Sequence, residues 1–211
     1  MNIIIKTRAL SAPFAGTRIR IRVDDPESPT WGMSDLTIAE DREKAVIDWG
    51  DAICEEIAEG GARTHTYART GEYEVVISDD ISGLRCSHLS SASVFRTVYA
   101  PMIREVCTSA ARLKALENCC FIDATGLTAF TSRQAGIETL AVSAFARCPS
   151  LTGRLDLPRV VSIAANSFGG CGAIAELHFG AANEATIKAS SAWETSGGRF
   201  GAENAEVFFD L

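Results

Sequence analysis

The rhythm of hydrophobic and polar positions changes near the middle of the chain. In the first half it is strand-like. In "TRIRIRV", Ile19, Ile21 and Val23 alternate with Arg18, Arg20 and Arg22, the period of two expected of a half-buried strand. Leu36 and Ile38 repeat the pattern, as do Ile47 and Trp49, and Tyr73, Val75 and Ile77 complete it in "GEYEVVIS". Turn-forming clusters separate these runs: "DDPESPT" at 24–30, "GDA" at 50–52 and "EGG" at 59–61. Short strands at this spacing, with no helical pattern between them, predict a small antiparallel sandwich over residues 1–85 with Trp49 and Tyr73 buried.

The second half, residues 86–211, repeats itself. Leu113, Leu116, Phe121, Ala124 and Leu127 recur 24 residues later as Ile137, Leu140, Phe145, Cys148 and Leu151. They recur again after 23 as Val160, Ile163, Phe168, Cys171 and Ile174. A step of 24 backward lands on a degraded copy, Leu89, Ala92, Thr97, Ala100 and Ile103; a step forward keeps Ile187 and Ala192, with Trp193 adjacent. Each unit is followed by a β-like stretch: "IREVC", "LTAFT", "RLDLP" and "AELHF". Its inward residues are Val106, Phe130, Leu155 with Leu157, and Leu177 with Phe179. One strand per 23–24 residues predicts a leucine-rich-repeat solenoid, whose units bury their apolar faces only by stacking.

These residues carry a resemblance. "IETLAVSAFARCPSL" and "VVSIAANSFGGCGAI", with "LDLP" between them, resemble the BspA-type leucine-rich repeats of bacterial surface proteins through AF-x-x-C-x-x-L in register. Ala124 stands for the cysteine in the first unit, and "GR" is inserted before Leu155. The first half resembles PKD-like (immunoglobulin-like) β-sandwich domains through Trp49-Gly50-Asp51, His65-Thr66-Tyr67 and Gly71-Glu72-Tyr73-Glu74-Val75, with Ala52 where the motif ends in glycine. Together they imply a mainly β chain, a PKD-like antiparallel sandwich followed by a short solenoid of about four to five coils. In gut-type bacterial proteins such a sandwich often precedes such repeats. The pairing implies a surface or adhesion-type interaction module, not an enzyme.

Composition narrows the partners. The net charge of −7 is uneven: residues 1–85 hold 10 Lys/Arg and 16 Asp/Glu, residues 86–211 hold 10 and 11. Neither half has the basic patch a phosphate backbone requires, so nucleic acid is not an expected partner. No apolar run approaches the roughly 20 residues of a membrane span, so no membrane insertion is expected. "MNIIIKTRAL" lacks a small-residue cleavage site. Either the chain stays inside the cell, in the cytoplasm or on a virion, or a leader has been removed and it is secreted or surface-borne. Seven cysteines with no C-x-x-C pair, and only three histidines (His65, His88, His178), give a zinc site no support. Cys148 and Cys171 read as a buried thiol column, and a disulfide between stacked units stays open if the protein is secreted.

Asp48, Asp51 and His65 invite an acid–base or metal reading. General acid–base chemistry needs groups converging in a cleft. A short carboxylate beside Gly50 suits a tight turn instead, with His65 bonding that turn and Tyr67 packing on the core. No catalytic residue, metal or cofactor is therefore expected. The better candidates for binding are the outward strand positions. One column is Glu105, Ala129, Arg154 and Glu176; the other is Cys107, Thr131, Asp156 and His178. Glu105, Arg154, Asp156, Glu176 and His178 are the candidate contacts for a protein or glycan whose identity the chain does not disclose. The alternative is a structural part of a larger assembly, such as a surface-protein fragment or a phage-encoded appendage.

Overall fold

The computed structural model describes residues 3–4, 15–132 and 135–211. Apart from Ile3 and Ile4, the N-terminal stretch read above for a leader lies outside them. The first half contributes β1 (Ile3–Ile4), β2 (Gly16–Val23), β3 (Thr30–Met33), β4 (Asp35–Ile38), β5 (Ala45–Asp48), β6 (Cys54–Ile57), β7 (Arg63–Thr66), β8 (Gly71–Ser78) and β9 (Ile81–Arg85). The second contributes β10 (Ile103–Thr108), β11 (Ala115–Leu116), β12 (Ala129–Thr131), β13 (Thr139–Leu140), β14 (Gly153–Leu157), β15 (Ser162–Ile163), β16 (Ile174–Phe179) and β17 (Glu206–Phe209). The protein is mainly β, 36% strand and 11% helix, in several sheets with no closed barrel. Among the described residues no helix is long and apolar enough to cross a membrane.

The strands alternate as their sequences dictate. Ile19, Ile21 and Val23 of β2 are fully buried, while Arg20 and Arg22 are exposed. Trp49 is buried against Trp31 and His65. Tyr73 is only partly buried, because its hydroxyl reaches out to the Arg69 carbonyl (2.7 Å).

Two sheets run through the middle of the chain without a break. The larger is ordered β1-β6-β5-β8-β2-β10-β12; the other runs β4-β9-β11-β13-β15. Pairing is antiparallel up to β2–β10 and β4–β9, then parallel at β10–β12 and β9–β11. β10 and β9 therefore each carry an antiparallel ladder on one edge and a parallel one on the other. A third sheet, β14-β16-β17, is wholly parallel. One hydrophobic cluster extends from Ile19 to Ala205 and draws on both halves.

The parallel ladders give the repeat its register. Leu116 pairs with Leu140, and Leu140 with Ile163, after the steps of 24 and 23 read from the apolar pattern. All fifteen positions of the three inner copies are buried. The rings of Phe121, Phe145 and Phe168 stack, with centroids 5.2 and 5.3 Å apart. Beside them, the Cys148 thiol donates to the Phe121 carbonyl (3.1 Å) and the Cys171 thiol to the Phe145 carbonyl (2.9 Å). Small side chains fit this column, and a thiol also satisfies a buried carbonyl of the preceding coil. Asp123, Arg147 and Gly170 occupy one place in successive coils, and all have left-handed backbone (φ 61°, 57° and 77°). The inserted "GR" is absorbed by a register shift at Gly153, φ 78°.

The outer coils depart from the expected step. In the backward copy Ala100 and Ile103 are buried, but Leu89 is 69% exposed, and Ala92 and Thr97 are exposed too. The neighbour of Leu116 is instead Leu84, 32 residues earlier, because the helical turns Phe95–Tyr99 and Ala100–Met102 bulge from the intervening stretch. At the other end Ile187 is buried, but the chain returns over Phe168 only at Phe200, whose carbonyl accepts from the Phe168 N–H (2.9 Å). Helices Glu184–Lys188 and Ser191–Thr195 fill the extra length. Each outer coil is about eight residues longer than the inner ones.

Candidate functional site

The outward positions of the sheets form two rows. In the first, Glu74 of β8 pairs with Arg20 of β2, Arg20 with Glu105 of β10, and Glu105 with Ala129 of β12. In the second, Val76, itself buried, pairs with Arg18, Arg18 with Cys107, and Cys107 with Thr131. From β12 the chain steps to β14 through Thr152 N–H to the Thr128 carbonyl (3.3 Å) and the Ser132 hydroxyl to the Asp156 carbonyl. The rows then continue as Arg154–Glu176–Glu206 and Asp156–His178–Phe208. The columns expected on the repeats thus extend onto the sheet of the first half, which the sequence pattern had placed in a separate unit.

Opposite charges alternate from Glu74 through Arg20 to Glu105 and again between Arg154 and Glu176, but Glu176 then meets the like charge of Glu206. Arg20 meets Glu105 at 3.1 Å across β2 and β10. Arg154 Nε donates to Asp156 Oδ1 within β14; this bond, with the further pull of Asp210 and Glu176, raises the guanidinium pKa. Glu105, Arg154 and Asp156 are solvent-exposed and Glu176 is partly so, as binding contacts must be.

His178 departs from expectation. It belongs to the outward row by register, yet its side chain is 4% exposed. The imidazole stacks on Phe208 of β17, centroids 4.5 Å apart and planes 13° apart. Nδ1 lies 2.7 Å from Asp210 Oδ1 and Nε2 2.9 Å from Glu176 Oε2. The cause is the last strand, which presents phenylalanine where β14 presents aspartate, so the next coil covers the ring. His178 is a clasp between β16 and the segment after β17, not an open contact. Its two carboxylates sit on opposite ring nitrogens and cannot converge on one ion. Among the described residues no group of three His, Cys, Asp or Glu is arranged to hold a metal.

Asp48, Asp51 and His65 form a turn clasp. Asp48 Oδ1 accepts from Gly50 N–H (2.9 Å), and Asp51 Oδ1 from Ile53 N–H (3.3 Å). The other Asp51 oxygen lies 2.7 Å from His65 Nε2. His65 stacks on Trp49 (5.1 Å, 13°), and Tyr67 stacks on Tyr73 (3.9 Å, 25°). The Tyr67 hydroxyl donates to the Trp49 carbonyl (3.1 Å), and burial pushes its acid dissociation far above the usual tyrosine range. The bonded polar groups of the cluster thus hold backbone groups of the turn or one another, the arrangement of a strand–turn clasp.

The sequence pattern missed Phe208 and Asp210, and it missed the continuation of the rows through Arg18 and Arg20. A signal existed: "EVFFD" at 206–210 has the length of the other strands, but lies off the step of 24. No family model, curated protein or solved structure matches the chain.

Proposed function

We propose that the protein is a non-enzymatic interaction module of the adhesion type, in which a PKD-like sandwich over residues 1–85 caps a short BspA-like leucine-rich-repeat solenoid over residues 86–211. The partner is a protein or a glycan bound on the outward strand face, through Glu105, Arg154, Asp156 and Glu176. The observation that carries this reading is the pair of residue rows crossing from β8 to β12 and resuming over β14, β16 and β17. A stacked array offers such a face as its binding surface. The sandwich adds to that face as well as sealing the first coil, since Arg18 and Arg20 stand in the same rows.

A glycan and protein array probed with the intact chain tests the reading. Ligands found there should be lost with Arg154→Glu and retained with Lys114→Ala, which breaks an exposed ion pair with Glu138 beside β11 in the other sheet. Equal loss with both variants, in folded protein, would place binding elsewhere.

One observation favours the second reading, a structural part of an assembly. Among the described residues β17 pairs on one side only, and its inward Val207 and Phe209 stay partly exposed where Leu177 and Phe179 are fully buried. An end of this kind accepts another layer. Concentration-dependent self-association of the intact chain, abolished by Val207→Lys, would support it over the first.

A further inference from the structure

Two pairs of buried thiols lie across neighbouring coils. Cys148 and Cys171 occupy the same position one coil apart, and each is at most 1% exposed. The coils carrying them are held in register by Phe145 N–H to the Ser167 carbonyl (2.7 Å) and Arg147 N–H to the Gly169 carbonyl (2.6 Å). Cys86 and Cys120 are both fully buried, and Cys86 N–H donates to the Cys120 carbonyl (3.0 Å). The Cys148 and Cys171 thiols each donate to a carbonyl of the preceding coil, so both side chains point along the stack. Backbones joined by such N–H to carbonyl bonds lie roughly 5 Å apart, inside the Cα separation of about 4.4–6.8 Å that a disulfide spans.

We infer that Cys86–Cys120 and Cys148–Cys171 are two disulfide sites, closed when the chain folds in a thiol–disulfide couple, each stapling one coil to the next. This does not depend on what the strand face binds. In each closure one cysteine thiolate attacks the small disulfide and releases a thiolate from it. The second cysteine then attacks the mixed disulfide and releases the other. The pair loses two electrons and two protons, and the small disulfide leaves as two thiols. Burial pushes the Cys120 and Cys148 thiols up in the folded state, and it shields all four cysteines from a small disulfide. Closure therefore belongs to folding, before the coils have packed. The Cys148–Cys171 staple spans 23 residues, and the Cys86–Cys120 staple ties β9 to the turn after β11.

Neighbouring coils supply harmless replacements. Ala124 stands where Cys148 stands, and Ala144 where Cys120 stands, one coil away. Cys148→Ala and Cys120→Ala should therefore fold and each delete one staple. The test is to refold the intact chain from denaturant into oxidised and reduced glutathione, then count thiols and map peptides without reduction. The count should fall by four, with linked peptides joining Cys86 to Cys120 and Cys148 to Cys171. Each link should raise the melting temperature by about 5–10 °C over the reduced protein. Each variant should lose its own link and keep the other. Each pair stands or falls on its own peptide: an unlinked pair, or one joined to other cysteines, refutes the inference for that pair.

Discussion

The ring of Phe145 lies 5.3 Å from that of Phe168 with the planes 13° apart, and Phe121 stacks against its other face. Phe145 is thus the middle of a column, with no solvent side. Phe145→Ala should cost about 3–5 kcal/mol, the range for a buried phenylalanine that leaves a cavity. Because one core joins both halves, the loss should lower a single transition. Thermal melts followed by near-ultraviolet dichroism, which sees Trp31 and Trp49, would register it. A silent substitution would mean the column is not where it is described.

Its outward register alone would make His178→Ala nearly neutral. The clasp predicts otherwise. Removing the ring takes away the Phe208 stack and two hydrogen bonds to partly exposed carboxylates, an expected loss of about 1–3 kcal/mol. Arg154→Ala, at a solvated position, should cost about 0.5 kcal/mol or less. Urea denaturation of the two variants side by side decides it; equal midpoints would show that the clasp contributes nothing.

Ala52 holds φ 71°, left-handed backbone that a side chain with Cβ adopts at a cost. Ala52→Gly should stabilise the protein by about 0.5–1 kcal/mol, the relief of strain exceeding the extra freedom given to the unfolded chain. A lowered denaturation midpoint would mean the turn is not strained there.

The Tyr67 hydroxyl keeps its proton in the folded protein well beyond the usual tyrosine range, because burial disfavours the phenolate. The unfolded chain releases that proton near pH 10. A pKa raised on folding contributes stability that is intact below the unfolded value and lost as pH rises past it. The wild type should therefore lose stability above about pH 10 more steeply than Tyr67→Phe. At pH 7 the same variant should be weaker by about 1 kcal/mol, for the lost bond to the Trp49 carbonyl. Parallel slopes for the two proteins from pH 9 to 11 would refute the assignment.

Cutting the chain after residue 85 should unfold both pieces. It strips β10 of β2 and β11 of β9, leaving bare edges, and it divides one core. Neither fragment should show a cooperative melt. A folded 86–211 fragment would show that the repeats seal themselves.

The inner three coils could be read from apolar positions, because a fixed step of 23–24 is all that Leu116, Leu140 and Ile163 require. The β-strands around Ile19, Trp49 and Val75 were equally plain from alternation. The outer coils were not, since a constant step cannot anticipate the helical turns between Leu84 and Leu116 or between Phe168 and Phe200. The burial of His178 was hidden for a related reason. Periodicity says which way a residue points, but not whether the next coil brings a phenylalanine over it. Pairing between distant strands, such as Arg20 with Glu105, leaves no local trace at all.

The two enlarged coils have a practical meaning. Around 88–102 and 184–198 the chain leaves the ladder, runs through short helical turns that still seat Tyr99, Ala100 and Ile187 in the core, and rejoins it, with a register shift between Ile103 and Glu105 after the first. Length is freest at their exposed residues, such as 89–92 in the first. A foreign epitope spliced into either bulge would be held out on a rigid frame with both of its ends anchored, so the fold is a ready display scaffold with two separate ports.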